Sequence, residues 1–223
     1  MPFTEETVSV VIGGTSGIGR AVADILRRRP GSVVAVSRRN GFDMTDETAT
    51  AQWFQNLGPV DHVVVTAGSS APSGGVCAVD LSTARQAFDA KFWGSIVVAR
   101  AAAQSLKPGG TITLTSGFLS RRVTAGTFVK TAMNAALEAS AKLLAQELAP
   151  LRVNVVSPGL TRTEAYDGLE VSARQDMFIA GAGRLPAGRV AEPEDVAAAY
   201  ILAIDVPSMT GAVLDVDGGA LIA

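Results

Sequence analysis

The sequence predicts an α/β protein built on one doubly wound parallel sheet, and three observations carry that reading. Short β-branched runs alternate with helical patterns along the whole chain, and parallel neighbours need such crossovers. A glycine-rich turn closes the first of those runs. No linker, repeat or low-complexity tract divides the 223 residues, a length suited to a single domain over 1–223.

Taken in order, residues 8–12 (VSVVI) end in glycines and read as a buried strand. A helical pattern over 20–29 is stopped by Pro30-Gly31, and 32–37 form a second strand. Thr45-Asp46-Glu47 places acid at the start of a helix running to Leu57. Gly58-Pro59 ends it, and 61–66 (DHVVVT) form a third strand. A Ser/Pro/Gly loop at 69–75 precedes a helix over 82–89 and a long one through Ser105, stopped at Lys107-Pro108-Gly109-Gly110. Residues 111–115 form a strand, 131–148 an alanine-rich helix ended by Pro150, and 152–156 another strand. The stretch 160–189 is irregular and is expected to lie as a lid over substrate. A helix over 192–204 and a strand over 213–216 complete the pattern.

Composition narrows the function. Hydrophobic residues make up 48% and charged ones 18%, unlike a disordered chain. Nineteen Lys plus Arg face 21 Asp plus Glu, for a net charge of -2 and no basic block. Nucleic acid is therefore not an expected partner. One cysteine, Cys77, excludes an intramolecular disulfide, and one histidine, His62, argues against zinc sites and a Ser-His-Asp triad. No run of about 18 apolar residues is present, and the opening MPFTEETVSV has no signal-like character. A cytoplasmic protein away from membranes is expected.

The first turn, Gly13 to Gly19, joins a strand to a helix N-terminus, where backbone N–H groups and the helix dipole suit a pyrophosphate. Gly13 can turn sharply, Gly17 admits phosphate, and Gly19 lets helix and strand approach. The spacing is G-x-x-x-G-x-G, and no Gly-Lys-Ser/Thr closes it as in a P-loop. After the second strand the chain reads Ser37-Arg38-Arg39. An acid there would favour NAD; a hydroxyl with guanidinium groups suits the 2′-phosphate of NADP.

With these motifs the sequence resembles the short-chain dehydrogenase/reductase family from about Val8 to Gly219. The turn fits T-G-x-x-x-G-x-G with Ile12 at the threonine, and Thr66-Ala67-Gly68 resembles the tail of N-N-A-G. Ser157-Pro158-Gly159 matches the turn beside the nicotinamide, and Leu214 to Gly219 the C-terminal strand and D-G-G. The resemblance implies a Rossmann-type sheet and NADP bound by Gly13, Thr15, Ser16, Gly17, Ile18, Gly19, Ser37, Arg38, Arg39, Asp43, Met44, Ala67, Gly68, Pro158, Gly159, Leu160 and Thr163. Asp43-Met44 matches an Asp-Val pair beside adenine. The family's helix and strand after strand 2 are missing here, which places strand 2 at or near the sheet edge.

The family's Asn, Ser, Tyr and Lys do not recur. Aligned without a gap on the helix leading to Pro150, Lys130 stands at the tyrosine position and Asn134 at the lysine position. Gly117, beside Ser116, falls at the serine, and Lys91 at the asparagine. Like charge, burial and an oxidised nicotinamide would lower a lysine pKa, which suits acid/base work. The expected roles are proton transfer by Lys130, ribose or water positioning by Asn134, charge tuning by Lys91 and substrate holding by Ser116. Lys91 and Lys130 are expected to approach one another.

Tyr166 is expected as a wall of the substrate site, and Tyr200, Trp53 and Trp93 as packing residues. His62 reads as a surface or core-edge residue and Cys77 as an inert thiol. The helices carrying Lys91 and Lys130 resemble those the family uses to form homodimers or homotetramers. Two functions follow: an NADP(H)-dependent oxidoreductase for a small carbonyl or alcohol, or a catalytically silent NADP-binding protein. A methyltransferase is disfavoured by the arginines and the P-G and D-G-G matches.

Overall fold

The computed structural model describes residues 3–68 and 70–223, so Ser69, the first residue of the expected 69–75 loop, lies outside it. Six strands form one all-parallel sheet: β1 (Val8–Ile12), β2 (Ser32–Val36), β3 (Val60–Val65), β4 (Leu106–Thr115), β5 (Arg152–Pro158) and β6 (Val213–Val216). Their order is β2-β1-β3-β4-β5-β6. Chain direction across the sheet reverses between β1 and β3, where a crevice opens at the strand C-termini.

Both faces are covered, which is why the central strands read as unbroken apolar runs. Helices α1 (Gly17–Leu26) and α7 (Pro193–Asp205) bury Val22, Leu26 and Ile204 against Val11 and Val64. Helices α2 (Glu47–Leu57), α4 (Gly94–Ala103) and α5 (Phe128–Glu147) bury Phe54, Val98 and Leu137 against Val10, Val63 and Ile112 on the other face. Buried Tyr200 bonds Thr115 Oγ1 through its hydroxyl at 2.5 Å and is a packing residue.

The expected shortening after strand 2 is present, and β2 is an edge strand. A single 3₁₀ turn (Arg38–Asn40) leads to Phe42 and Met44, both buried. Phe42 meets Trp53 edge-on at 5.0 Å. Met44 lies beneath α4, where a Cβ on Gly94 would come within 2.9 Å of its Cγ. Two side chains and a glycine thus close the gap left by a missing crossover.

Three expectations need correction. β4 begins at Leu106, not 111: Lys107-Pro108-Gly109-Gly110 belongs to the strand, with a register shift against β3 between Val60 and His62. The segment 160–189 is not irregular throughout, since it holds a 3₁₀ turn (Glu164–Tyr166) and α6 (Val171–Ala182). His62 is buried, with Nδ1 3.0 Å from Thr111 Oγ1, and burial lowers its pKa to about 4.

Between α3 (Leu81–Phe88) and α4 the backbone makes a π-helical turn, Asp89–Trp93. Such a turn inserts a residue and re-aims side chains, often at functional sites. Lys91 sits on it. Trp93, expected to pack, is 54% exposed beside Phe92.

Candidate cofactor and active site

A cleft of about 640 Å³ opens at the switch point between β1 and β3. Gly13, Thr15, Ser16, Gly17, Ile18 and Gly19 form one wall. Close approach fixes two of these glycines. A Cβ on Gly19 would fall 2.2 Å from Gly13 O, and one on Gly13 would fall 2.6 Å from Thr66 Oγ1. Thr66 Oγ1 donates to Ile12 O at 3.0 Å, tying β3 to β1 at the cleft floor.

The second wall is the 3₁₀ turn after β2. Ser37 Oγ accepts from Thr15 Oγ1 at 2.8 Å and from Arg39 N at 3.2 Å, so the glycine turn and the arginine turn brace each other. Arg38 and Arg39 are exposed, and neither joins an ion pair among the described residues. Asp43 accepts from Thr45 N and Oγ1, at 3.0 and 2.8 Å, which lowers its pKa. It lines the cleft with Met44, Ala67 and Gly68.

An anion already rests on the phosphate cradle. Glu164 Oε2 accepts from Gly17 N at 2.8 Å, and its other oxygen pairs with Arg20 at 2.5 Å. The backbone N–H of Glu164 itself, with smaller help from Gly17 N and Arg20, holds the carboxyl below its usual pKa against an upward pull from burial. A carboxylate there is a stand-in for a phosphate oxygen: the helix N-terminus donates where a dinucleotide requires it. The residues present therefore fit NADP(H), by the cradle, the acceptor-free guanidinium pair and the crevice position.

A second cluster lies behind the cleft. Lys91 is 8% exposed, and its Nζ donates to Ser116 O at 2.9 Å and Asn134 Oδ1 at 2.7 Å. Burial lowers its pKa to about 8, against an upward pull from Glu138. Because an ammonium only donates, it fixes the amide orientation, and Asn134 Nδ2 faces Gly117. A Cβ on Gly117 would lie 2.9 Å from that nitrogen. The amide thus fills the space a serine at 117 would take. Ser116 Oγ donates to Glu138 Oε1 at 2.8 Å, beside Ser120 at 2.6 Å, while Arg121 Nε meets Glu138 Oε2 at 3.1 Å.

The comparisons with known proteins agree with this geometry. Residues 41–220 match the family model described as enoyl-(acyl carrier protein) reductase. A short-chain dehydrogenase/reductase of Stachybotrys chlorohalonatus is 31% identical over 100% of both chains. Carbonyl reductase family member 4 of Xenopus tropicalis is 30% identical, covering 95% of this chain and 97% of the relative. Among solved structures, a small-chain dehydrogenase crystallised with NADPH is 51% identical, with TM-score 0.95, covering 98% of this chain and 100% of that one. This chain belongs to the short-chain dehydrogenase/reductase family.

As a short-chain dehydrogenase/reductase, it has the family's oxidoreductase fold. Of the expected cofactor contacts, Pro158, Gly159 and Leu160 do not line the cleft. Gly159 N is bonded to Val216 O at 2.9 Å, and Leu160 packs against Gly181 of α6. Thr163 does line it, with Glu164 and Ala165. The structure joins Lys91, Asn134 and Ser116 by hydrogen bonds.

Lys130 is half-buried one turn before Asn134 on α5, with no hydrogen bond or ion pair among the described residues. The buried Lys91 ammonium needs acceptors and finds them in Ser116 O and Asn134 Oδ1. Ser116, expected to hold substrate, donates its hydroxyl proton to Glu138. Tyr166 stacks edge-on with Phe178 at 5.5 Å within its own segment. Sequence reasoning missed Phe42, Gln86, Asp89 and Glu164 at the cleft. Gln86 and Asp89 lie just upstream of Lys91, on α3 and the π-helical turn; an acid on a phosphate cradle runs against the usual signal. No helix among the described residues is long and apolar enough to cross a membrane.

Proposed function

We propose that this short-chain dehydrogenase/reductase is an enzyme that uses NADP(H) to interconvert a small carbonyl compound and its alcohol. The observation that carries the proposal is the buried Lys91–Asn134 pair. Burying a lysine costs free energy, and this one is spent on fixing a single amide beside the cleft. NADP rather than NAD is supported by Arg38 and Arg39 at the end of β2, and the 51% identical relative was solved with NADPH.

The chain's residues divide the work. The N-terminus of α1 holds a diphosphate, and Arg38 with Arg39 a 2′-phosphate. NADPH, when bound, supplies the hydride. Lys130, one turn from Asn134, gives a proton to the carbonyl oxygen in reduction and takes it back in oxidation. Asn134 Nδ2 donates to the substrate oxygen or a ribose hydroxyl. The Lys91 ammonium holds that amide in place and adds positive charge behind it. The segment 160–189 covers substrate, and a homodimer or homotetramer forms through the helices carrying Lys91 and Lys130.

The rival reading, a catalytically silent NADP-binding protein, draws on the lack of a hydrogen bond or ion pair for Lys130 among the described residues. Following NADPH absorbance with small aldehydes, ketones and quinones separates the two. Turnover that falls about 10²–10³-fold in Lys130→Ala, with the KM for NADPH unchanged, is expected. NADPH binding without turnover in the wild type on every substrate favours the silent protein, and unchanged turnover in Lys130→Ala removes that residue's role.

A further inference from the structure

We propose that Glu164 is an internal competitor for the diphosphate of the cofactor, a built-in anion that sets cofactor affinity and couples cofactor binding to movement of segment 160–189. The proposal rests on the NADP(H) reading above.

The contact is long-range and specific. Glu164 lies 147 residues from Gly17 in sequence, yet its Oε2 accepts from Gly17 N at 2.8 Å. Its second oxygen takes the Arg20 guanidinium at 2.5 Å. Both anchors belong to the first turn of α1, where the helix is most electropositive. Thr163 reinforces the seat: a Cβ on Gly17 would lie 3.2 Å from its Cγ2. A dinucleotide laid along the same turn needs the same N–H. One donor cannot serve a carboxylate and a phosphate together, and two anions at that distance repel.

The carboxylate is also attached to something stiff. It opens the 3₁₀ turn Glu164–Tyr166, whose Tyr166 ring packs on Phe178 of α6. Arg174 of α6 reaches back to Asp167. Arg162, on the other side, pairs with Glu192 at 3.3 Å and covers the Phe178 ring. Displacing Glu164 therefore shifts a packed unit and not a lone side chain. Apparent cofactor affinity is the intrinsic affinity reduced by the fraction of molecules in which the cradle is free.

Glu164→Gln keeps the shape and removes the charge. NADPH titration by fluorescence should show binding about tenfold tighter than wild type, the worth of one charge-assisted contact. Glu170→Gln, a charge change in the same segment away from the cradle, should stay within twofold. Trypsin should cut at Arg162 faster in cofactor-free Glu164→Gln than in wild type. If Glu164→Gln fails to fold, Glu164→Asp, too short to reach Gly17 and Arg20 together, should tighten binding in the same direction. Equal or weaker NADPH binding in the folded variant overturns the proposal and leaves the cofactor reading intact. So does a matching gain in Glu170→Gln. No NADPH binding by any of the proteins overturns the cofactor reading and the proposal with it.

Discussion

The two ends of the cleft are built on opposite principles. The adenosine end is open and made of exposed groups on a tight turn: Arg38 and Arg39 stand in solvent, with only Ser37 tied to the glycine loop. The other end is closed and centred on buried groups with their bonds assigned: Lys91 to Ser116 and Asn134, and Ser116 to Glu138, with half-buried Ser120 and exposed Arg121 joining Glu138 at the rim. The open end keeps the family's pattern although a whole crossover has been lost beside it. The closed end is held by a chain of buried hydrogen bonds instead. Recognition by charge tolerates a changed frame; a buried polar set holds only when its members satisfy one another.

The largest effect that would break this comparison is expected at the closed end. Lys91→Met keeps a similar volume but releases the Asn134 amide, and carbonyl reduction should slow about 100-fold with little change in NADPH affinity. In the wild type, Lys91 is charged below its pKa of about 8. Reduction should therefore weaken as pH rises through that value, as the ammonium loses its proton. A rate profile of Lys91→Met should lack this limb, and one of Glu138→Gln should show it at lower pH, because the carboxylate pulls that pKa upward.

At the open end the expected change is smaller and purely in affinity. Replacing Arg38 and Arg39 together by alanine should weaken NADPH about thirtyfold in a binding titration and leave NADH nearly unchanged. A parallel loss for both cofactors would remove the assignment of these arginines to the 2′-phosphate. The smallest effect probes packing inside the closed end. Gly117→Ala pushes a methyl toward Asn134 Nδ2 and should cost about 1 kcal/mol in urea unfolding.

The sequence was most legible where one local rule decides the outcome. Apolar runs gave the six strands, glycine spacing gave the cradle, and the short interval from Arg39 to Phe42 gave the lost crossover and the edge position of β2. It was least legible where a distant partner decides. Pro108-Gly109-Gly110 reads as a stop, but pairing with β3 carries the strand through it. Lys91 and Lys130 look alike in the sequence, and only the fold shows one of them satisfied by Ser116 and Asn134 and the other without a hydrogen bond or ion pair among the described residues. The helix α6 escaped notice because its apolar residues, including Val171 and Ile179, stay exposed and mark no clear stripe. Glu164 escaped because nothing in its neighbourhood links it to Gly17.

The edge position of β2 has a consequence for how the cofactor is held. With no helix and strand folded over that side, the turn at 38–41 offers adenine little apolar cover, and its guanidinium groups stay in water. Attraction between charges in water fades as ions are added, so dissolved salt acts as a dial on this protein's grip on NADP, turning the outer end far more than the sealed one.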